Sequence, residues 1–160
     1  MLGGARSGKS TFAERLAAAC DGPVLYVATA TAGDAEMAER IVQHRARRPA
    51  EWRTCESPQT LRVPLGTART VLVEDLTLLL NNLMLRDIAA AEAEAVAEVD
   101  AVLTLAAHVV LVSNEVGMGI VPATRIGREF RDALGRLNQH AAAAVEEAYF
   151  LVAGLPLRLK

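Results

Sequence analysis

Two kinds of apolar pattern alternate along this chain. "VLYVAT" (Val24 to Thr29), "TVLVED" (Thr70 to Asp75) and "HVVLVSNEV" (His108 to Val116) are continuous runs rich in β-branched residues, as strands covered on both faces require. Between them the apolar positions recur at helical spacing. "KSTFAERLAAAC" reads as a helix that Asp21-Gly22-Pro23 stops. Gly33 to Arg48 reads as another, with Met37, Ile41 and His44 at i, i+4 and i+7 and Pro49 at its end. A long Ala- and Glu-rich helical stretch fills the interval from Asp75 to His108, and Ala123 to Val145 forms a further helix. "AYFLVAG" with "LRLK" supplies one or two final strands. Alternation of strand and helix predicts an α/β fold, a mostly parallel sheet flanked by helices. No repeat, low-complexity tract or linker divides the pattern, so a single domain over residues 1–160 is expected.

Composition narrows the function classes. At 52% hydrophobic and 22% charged residues the 160-residue chain is an ordinary globular protein with one sizeable core. A net charge of −2 gives no overall field to draw in nucleic acid or an anionic membrane, so any anion site must be local. The most apolar stretch, Leu76 to Leu85, is broken by Asn81 and Asn82 and falls short of the ~20 residues a membrane span needs. Cys20 and Cys55 are too few for a disulfide framework or a four-ligand zinc site, and nothing at the start reads as a signal peptide. A cytoplasmic location is expected.

The chemistry begins at Gly3-Gly4-Ala5-Arg6-Ser7-Gly8-Lys9-Ser10, which matches the phosphate-loop pattern G-x-x-x-x-G-K-[ST] and opens a helix. Glycines let the backbone wrap phosphates, and the helix N-terminus holds anions. Lys9 suits the β- and γ-phosphates, and Ser10 suits Mg²⁺. Lys9 is one of only two lysines beside fifteen arginines, standing where a compact ammonium rather than a fork is wanted. Only Met1 and Leu2 precede Gly3, so the buried strand from which such loops hang is nearly absent from the pattern. The acid that completes a Mg²⁺ site belongs at a strand end, where Glu74 is the first choice and Asp75 the second. "SNEVGMGIVP" (Ser113 to Pro122) places an acid and two glycines at the carboxyl edge of the sheet, where ligands bind in open α/β folds.

"ERIVQHRARRPAEWRT" gathers Arg40, Arg45, Arg47, Arg48 and Arg53 around His44. A solvated basic helix face explains the charges alone. On a helix Arg40 and Arg48 share a face with His44, and nearby cations keep an imidazole neutral and nucleophilic. The same arginines attract a triphosphate and stabilise charge on a phosphoryl group under attack.

In this order and at about these intervals, "GGARSGKS", "VLYVAT", "RIVQHRARRPAEWRTCE", "VLVED" and "NEVGMGIVP" resemble the bifunctional adenosylcobinamide kinase / adenosylcobinamide-phosphate guanylyltransferase family of cobalamin biosynthesis. The resemblance covers most of Gly3 to Lys160. It implies a single-domain P-loop (RecA-like) fold, a homotrimer, and two reactions on a corrinoid. A nucleoside triphosphate, ATP or GTP, first phosphorylates adenosylcobinamide with Mg²⁺. GTP then donates GMP to an enzyme histidine, from which adenosylcobinamide phosphate takes it. The resemblance puts that histidine at His44. It places catalytic roles on Lys9 and Glu74, metal contacts on Ser10 and Glu74, and nucleotide contacts on Gly3 to Ser10, on Ala28, Thr29 and Ala30, on Arg45, Ala46, Arg47 and Arg48, and on Glu56 and Glu74. Asp75 departs from it, since a small neutral residue is expected beside the strand-end glutamate. Ser57 to Ala106 carries little of the family pattern beyond "VLVED" and is shortened after "LLNNLM", so no corrinoid contact is carried over. Two other readings stay open. A one-step kinase would use His44 and its arginines only as a phosphate clamp, and a GTP-regulated switch would need an N-K-x-D motif where the chain has "SNEV".

Overall fold

In the computed structural model, which describes residues 1–160 apart from the side chain of Arg40, strands and helices alternate from β1 (Leu2–Gly3) onward. The phosphate loop leads into α1 (Lys9–Ala19), followed by β2 (Val24–Ala28), α2 (Ala35–Arg47), β3 (Arg53–Glu56) and β4 (Thr70–Glu74). Then come α3 (Leu76–Arg86), α4 (Ala91–Leu103), β5 (His108–Leu111), β6 (Ser113–Asn114), α5 (Arg125–Ala144), β7 (Tyr149–Val152) and β8 (Leu155–Arg158). Strands run β3-β2-β4-β5 in one parallel group and β6-β1-β7-β8 in a second, antiparallel only between β7 and β8. The chain steps from one group to the other at Val112, whose N–H donates to Val73 and whose carbonyl accepts from Leu76. Ser113 N–H then donates to Met1, so the run predicted as one strand changes partners midway.

Because successive strand residues face opposite ways, the central strands sort their side chains between two cores. Leu25, Val27, Val71 and Val73 pack with Leu79, Leu80, Leu83, Val99, Leu134 and Leu137 of α3, α4 and α5. Val24, Tyr26, Ala28 and Leu72 face Ala13 and Ala17 of α1, whose small side chains let that helix lie close. α2 contributes nothing to either core.

Three expectations are corrected. The stretch between Asp75 and His108 is two helices, because Asp87 Oδ1 accepts from Ala89 and Ala90 N–H and so diverts them from helical partners. β3 was not expected; it is a largely exposed edge strand whose pairing with β2, not its own pattern, makes it a strand. The last helix starts at Arg125, where Thr124 Oγ1 accepts from Gly127 N–H as the cap.

Candidate active site

The phosphate loop keeps its shape through two glycines. A Cβ on Gly3 would stand 2.5 Å from Ser7 Oγ and 2.8 Å from the Leu151 carbonyl. Gly8 caps α1 at φ 91°, in the left-handed region, with Gly154 Cα only 3.0 Å from where its Cβ would be. Gly154 N–H also donates to the Ser7 carbonyl at 2.9 Å, so the β7–β8 turn braces the loop. The opening amides of α1 therefore stand at its positive end, the place for an anion. Lys9 folds back over the loop and donates from Nζ to the Gly4 carbonyl at 3.1 Å. It is only 7% exposed, and burial lowers its pKa while Asp75 and Glu74 act in the opposite sense.

Glu74 ends β4 and is the point where the site converges. Its Oε1 accepts a hydrogen bond from Ser10 Oγ and lies 3.8 Å from His44 Nδ1. Its Oε2 is buried with no hydrogen-bond partner among the described residues. Burial raises the Glu74 pKa from the ordinary 4.5 to about 7; the Ser10 hydroxyl works against this, Asp75 and Glu14 add to it, and Lys9 lowers it. An alcohol and a carboxylate are oxygen ligands of the kind Mg²⁺ takes, and the orphaned Oε2 leaves lone pairs to satisfy. Ser10 and Glu74 thus fit the metal that the sequence places on them.

A carboxyl whose folded pKa exceeds its unfolded one binds its proton more tightly in the folded chain, so stability falls as pH rises from about 4.5 to about 7. Glu74→Gln removes that loss. Without Mg²⁺ the variant is expected to gain ~3 kcal/mol relative to the parent between pH 4 and pH 8. Thermal unfolding of both proteins across that range measures it, and parallel curves would contradict the assignment.

The second acid has a different job. Asp75 Oδ1 accepts from Leu78 N–H as the cap of α3, and Oδ2 accepts from Asn114 Nδ2 at 3.2 Å. Thr29, fully buried, donates its hydroxyl to the Asp75 carbonyl and accepts from the Asp75 N–H. Of Ala28, Thr29 and Ala30, only Ala30 reaches partial exposure, and the Thr29 hydroxyl is engaged with the Asp75 backbone.

His44 sits in the last turn of α2, its side chain 32% exposed. The arginines around it divide their work. Arg47 Nη2 lies 3.3 Å from His44 Nδ1 and donates at 3.4 Å to Glu14 Oε1 on α1. Arg45 pairs with Glu56 at the end of β3. Arg48 has left the helix with ψ at 137°, and its guanidinium stacks 3.6 Å over the Tyr26 ring while donating to Thr54 Oγ1. Arg48 therefore does not share a helix face with His44 as spacing predicts; Arg47 takes that place. Arg53 is not at His44 either, since it clasps the carbonyls of Pro64 and Leu65. Arg40, expected beside His44, has its side chain outside the described residues. With no apolar face in the core among the described residues, α2 is held over the sheet edge by Arg45 anchored on β3, Arg47 on α1 and Arg48 on β2 and β3.

Two residues of the site went unread in the sequence. Glu14 follows Ser10 by four positions, one helical turn on the same face, and that spacing was the available signal. Asn82 donates to the carbonyls of Thr29 and Pro58, tying α3 to the β2 edge; nothing local marks it.

Comparison with known proteins gives a consistent picture. The family model described as cobinamide kinase / cobinamide phosphate guanyltransferase matches residues 1–159. The bifunctional adenosylcobalamin biosynthesis protein CobP of Pseudomonas aeruginosa is 48% identical, over 100% of this chain and 95% of its own length. The corresponding CobU proteins of Escherichia coli and Salmonella typhimurium are each 42% identical, over 100% of this chain and 98% of theirs.

Proposed function

This chain belongs to the cobinamide kinase / cobinamide phosphate guanyltransferase family, and on that footing we propose that it carries both reactions at the site around Glu74. Adenosylcobinamide is phosphorylated by ATP or GTP, and GMP from GTP then passes through His44 to adenosylcobinamide phosphate, giving adenosylcobinamide-GDP. The observation that carries this reading is that one carboxylate, Glu74, meets both the phosphate-loop hydroxyl of Ser10 and the His44 imidazole.

For phosphorylation, the loop amides and Lys9 hold the triphosphate and position it for in-line attack by the corrinoid hydroxyl. Ser10 and Glu74 would hold Mg²⁺, which neutralises phosphate charge when bound. For guanylyl transfer, His44 attacks through a ring nitrogen that carries no proton. The Glu74 carboxylate, 3.8 Å from His44 Nδ1, steadies the cationic ring formed by the attack. Arg47, Arg45 and Arg48 supply the positive charge that a triphosphate approaching α2 meets. The reading further takes residues 1–160 as one catalytic domain acting as a homotrimer in the cytoplasm. No helix among the described residues is long and apolar enough to cross a membrane.

The test supplies adenosylcobinamide, ATP and GTP and follows corrinoid products over time. Corrinoid phosphate followed by the GDP adduct is expected. Accumulation of the phosphate alone would leave a one-step kinase.

The segment after β6 is anchored beside the phosphate loop, Glu115 N–H donating to the Gly3 carbonyl at 3.0 Å. Beyond it Met118, Ile120 and Val121 stand exposed, Ile120 at 96%. We expect this loop to close over nucleotide or corrinoid, slowing hydrogen exchange of residues 116–121 at saturation. Unchanged exchange would count against it.

A further inference from the structure

We propose that Glu14 is a positioning residue for guanylyl transfer, holding Arg47 against the His44 imidazole; the proposal rests on the reading of His44 as the group that takes GMP. Glu14 lies one turn beyond Ser10 on α1, and its side chain is only 14% exposed although it is charged. Its Oε1 accepts from Arg47 Nη2 at 3.4 Å, and the same nitrogen lies 3.3 Å from His44 Nδ1. His44 Nδ1 is in turn 3.8 Å from the Glu74 carboxylate that accepts from Ser10. These contacts close a ring: Ser10, Glu74, His44, Arg47, Glu14, and back along one turn of α1 to Ser10. The helix that carries the phosphate loop therefore also sets where the nucleophile stands.

An ordinary exposed ion pair would contribute almost nothing. Here the consequence is geometric rather than thermodynamic. α2 has no buried apolar anchor, so the lateral position of His44 depends on contacts such as this one. Small misplacements of an attacking atom cost rate steeply. The step served forms the bond from a His44 ring nitrogen to the α-phosphorus and breaks that phosphorus's bond to the bridging oxygen, whose electron pair leaves with pyrophosphate. Glu14 gains and loses no proton in it.

The experiment measures the rate of covalent labelling of the full chain by GTP carrying a labelled α-phosphate, with denaturing quench. Glu14→Gln, which keeps shape and removes charge, is expected to slow labelling at saturating GTP about tenfold. Corrinoid phosphorylation turnover changes less than the labelling rate, since Glu14 reaches Glu74 only through its charge. In an Arg47→Gln background, Glu14→Gln causes no further loss, since the two act as one unit. Labelling of Glu14→Gln at the parent rate overturns the proposal, as does an equal loss of phosphorylation or an undiminished effect in the Arg47→Gln background. Parent enzyme that takes no label overturns the His44 reading and this proposal together, whereas a labelled parent with an unaffected variant overturns this proposal alone.

Discussion

A His44→Ala enzyme incubated with GTP labelled in its α-phosphate is expected to keep no label through denaturation, a loss of roughly 10⁴-fold or more in capture rate. Displacement of pyrophosphate onto the enzyme needs a side-chain nucleophile, and no other histidine stands where one could serve. His108 pairs with Thr70 at the start of β4, the opposite end of the strand from Glu74. His140, on α5, is engaged 2.6 Å from Asp100. Phosphorylation of adenosylcobinamide should remain measurable in the variant, because Lys9, Ser10 and Glu74 reach the triphosphate without passing through the imidazole. The parent's label should be acid-labile and base-stable, as a phosphoramidate is. Loss of both reactions in His44→Ala would make the residue a shared phosphate clamp and favour the one-step kinase.

Lys9→Ala should have the second largest effect, lowering phosphoryl-transfer turnover by roughly 10²–10³ and weakening nucleotide binding. Lys9 Nζ spans from the loop carbonyl of Gly4 toward the two buried carboxylates, so its ammonium stands between the phosphate cradle and the proposed metal pair. No second lysine can replace it, since Lys160 is tied to the carbonyls of Ala142, Ala143 and Val145 at the far end of α5. Removing the cation also takes away the smaller of the two influences that lower the Glu74 pKa, the larger being the Ser10 hydroxyl, so the carboxyl should titrate higher in the variant. Steady-state kinetics on adenosylcobinamide measure the first effect, and unchanged turnover would contradict the phosphate-loop assignment.

Strands buried on both faces were legible because burial leaves a continuous apolar run; β2 and β4 follow the predicted spans to within a residue. The phosphate loop was legible because its glycines and lysine answer needs of the backbone and charge that few other residues meet. β3 was not, since an exposed edge strand has no apolar face to reveal it. The arginines misled for a geometric reason. Spacing of four implies a shared face only while the helix lasts, and Arg48 is already extended, so its side chain turns to Tyr26. Asp75 reads as the second choice, after Glu74, for the acid of a Mg²⁺ site but caps α3 and holds Asn114, a distinction that depends on where the next helix begins. Glu14 shows the general limit: a single helix pattern says which residues share a face, but not which other element that face will meet.

The central claim is that a phosphate loop and a nucleophilic histidine share the Glu74 carboxylate in one site. Its most direct test is to trap the enzyme with GTP and Mg²⁺, digest it, and locate the adduct by mass spectrometry under base-stable conditions. One GMP on the peptide that contains His44 is the predicted result. A GMP-bearing peptide elsewhere in the chain, or none at all from enzyme that still phosphorylates adenosylcobinamide, would contradict it.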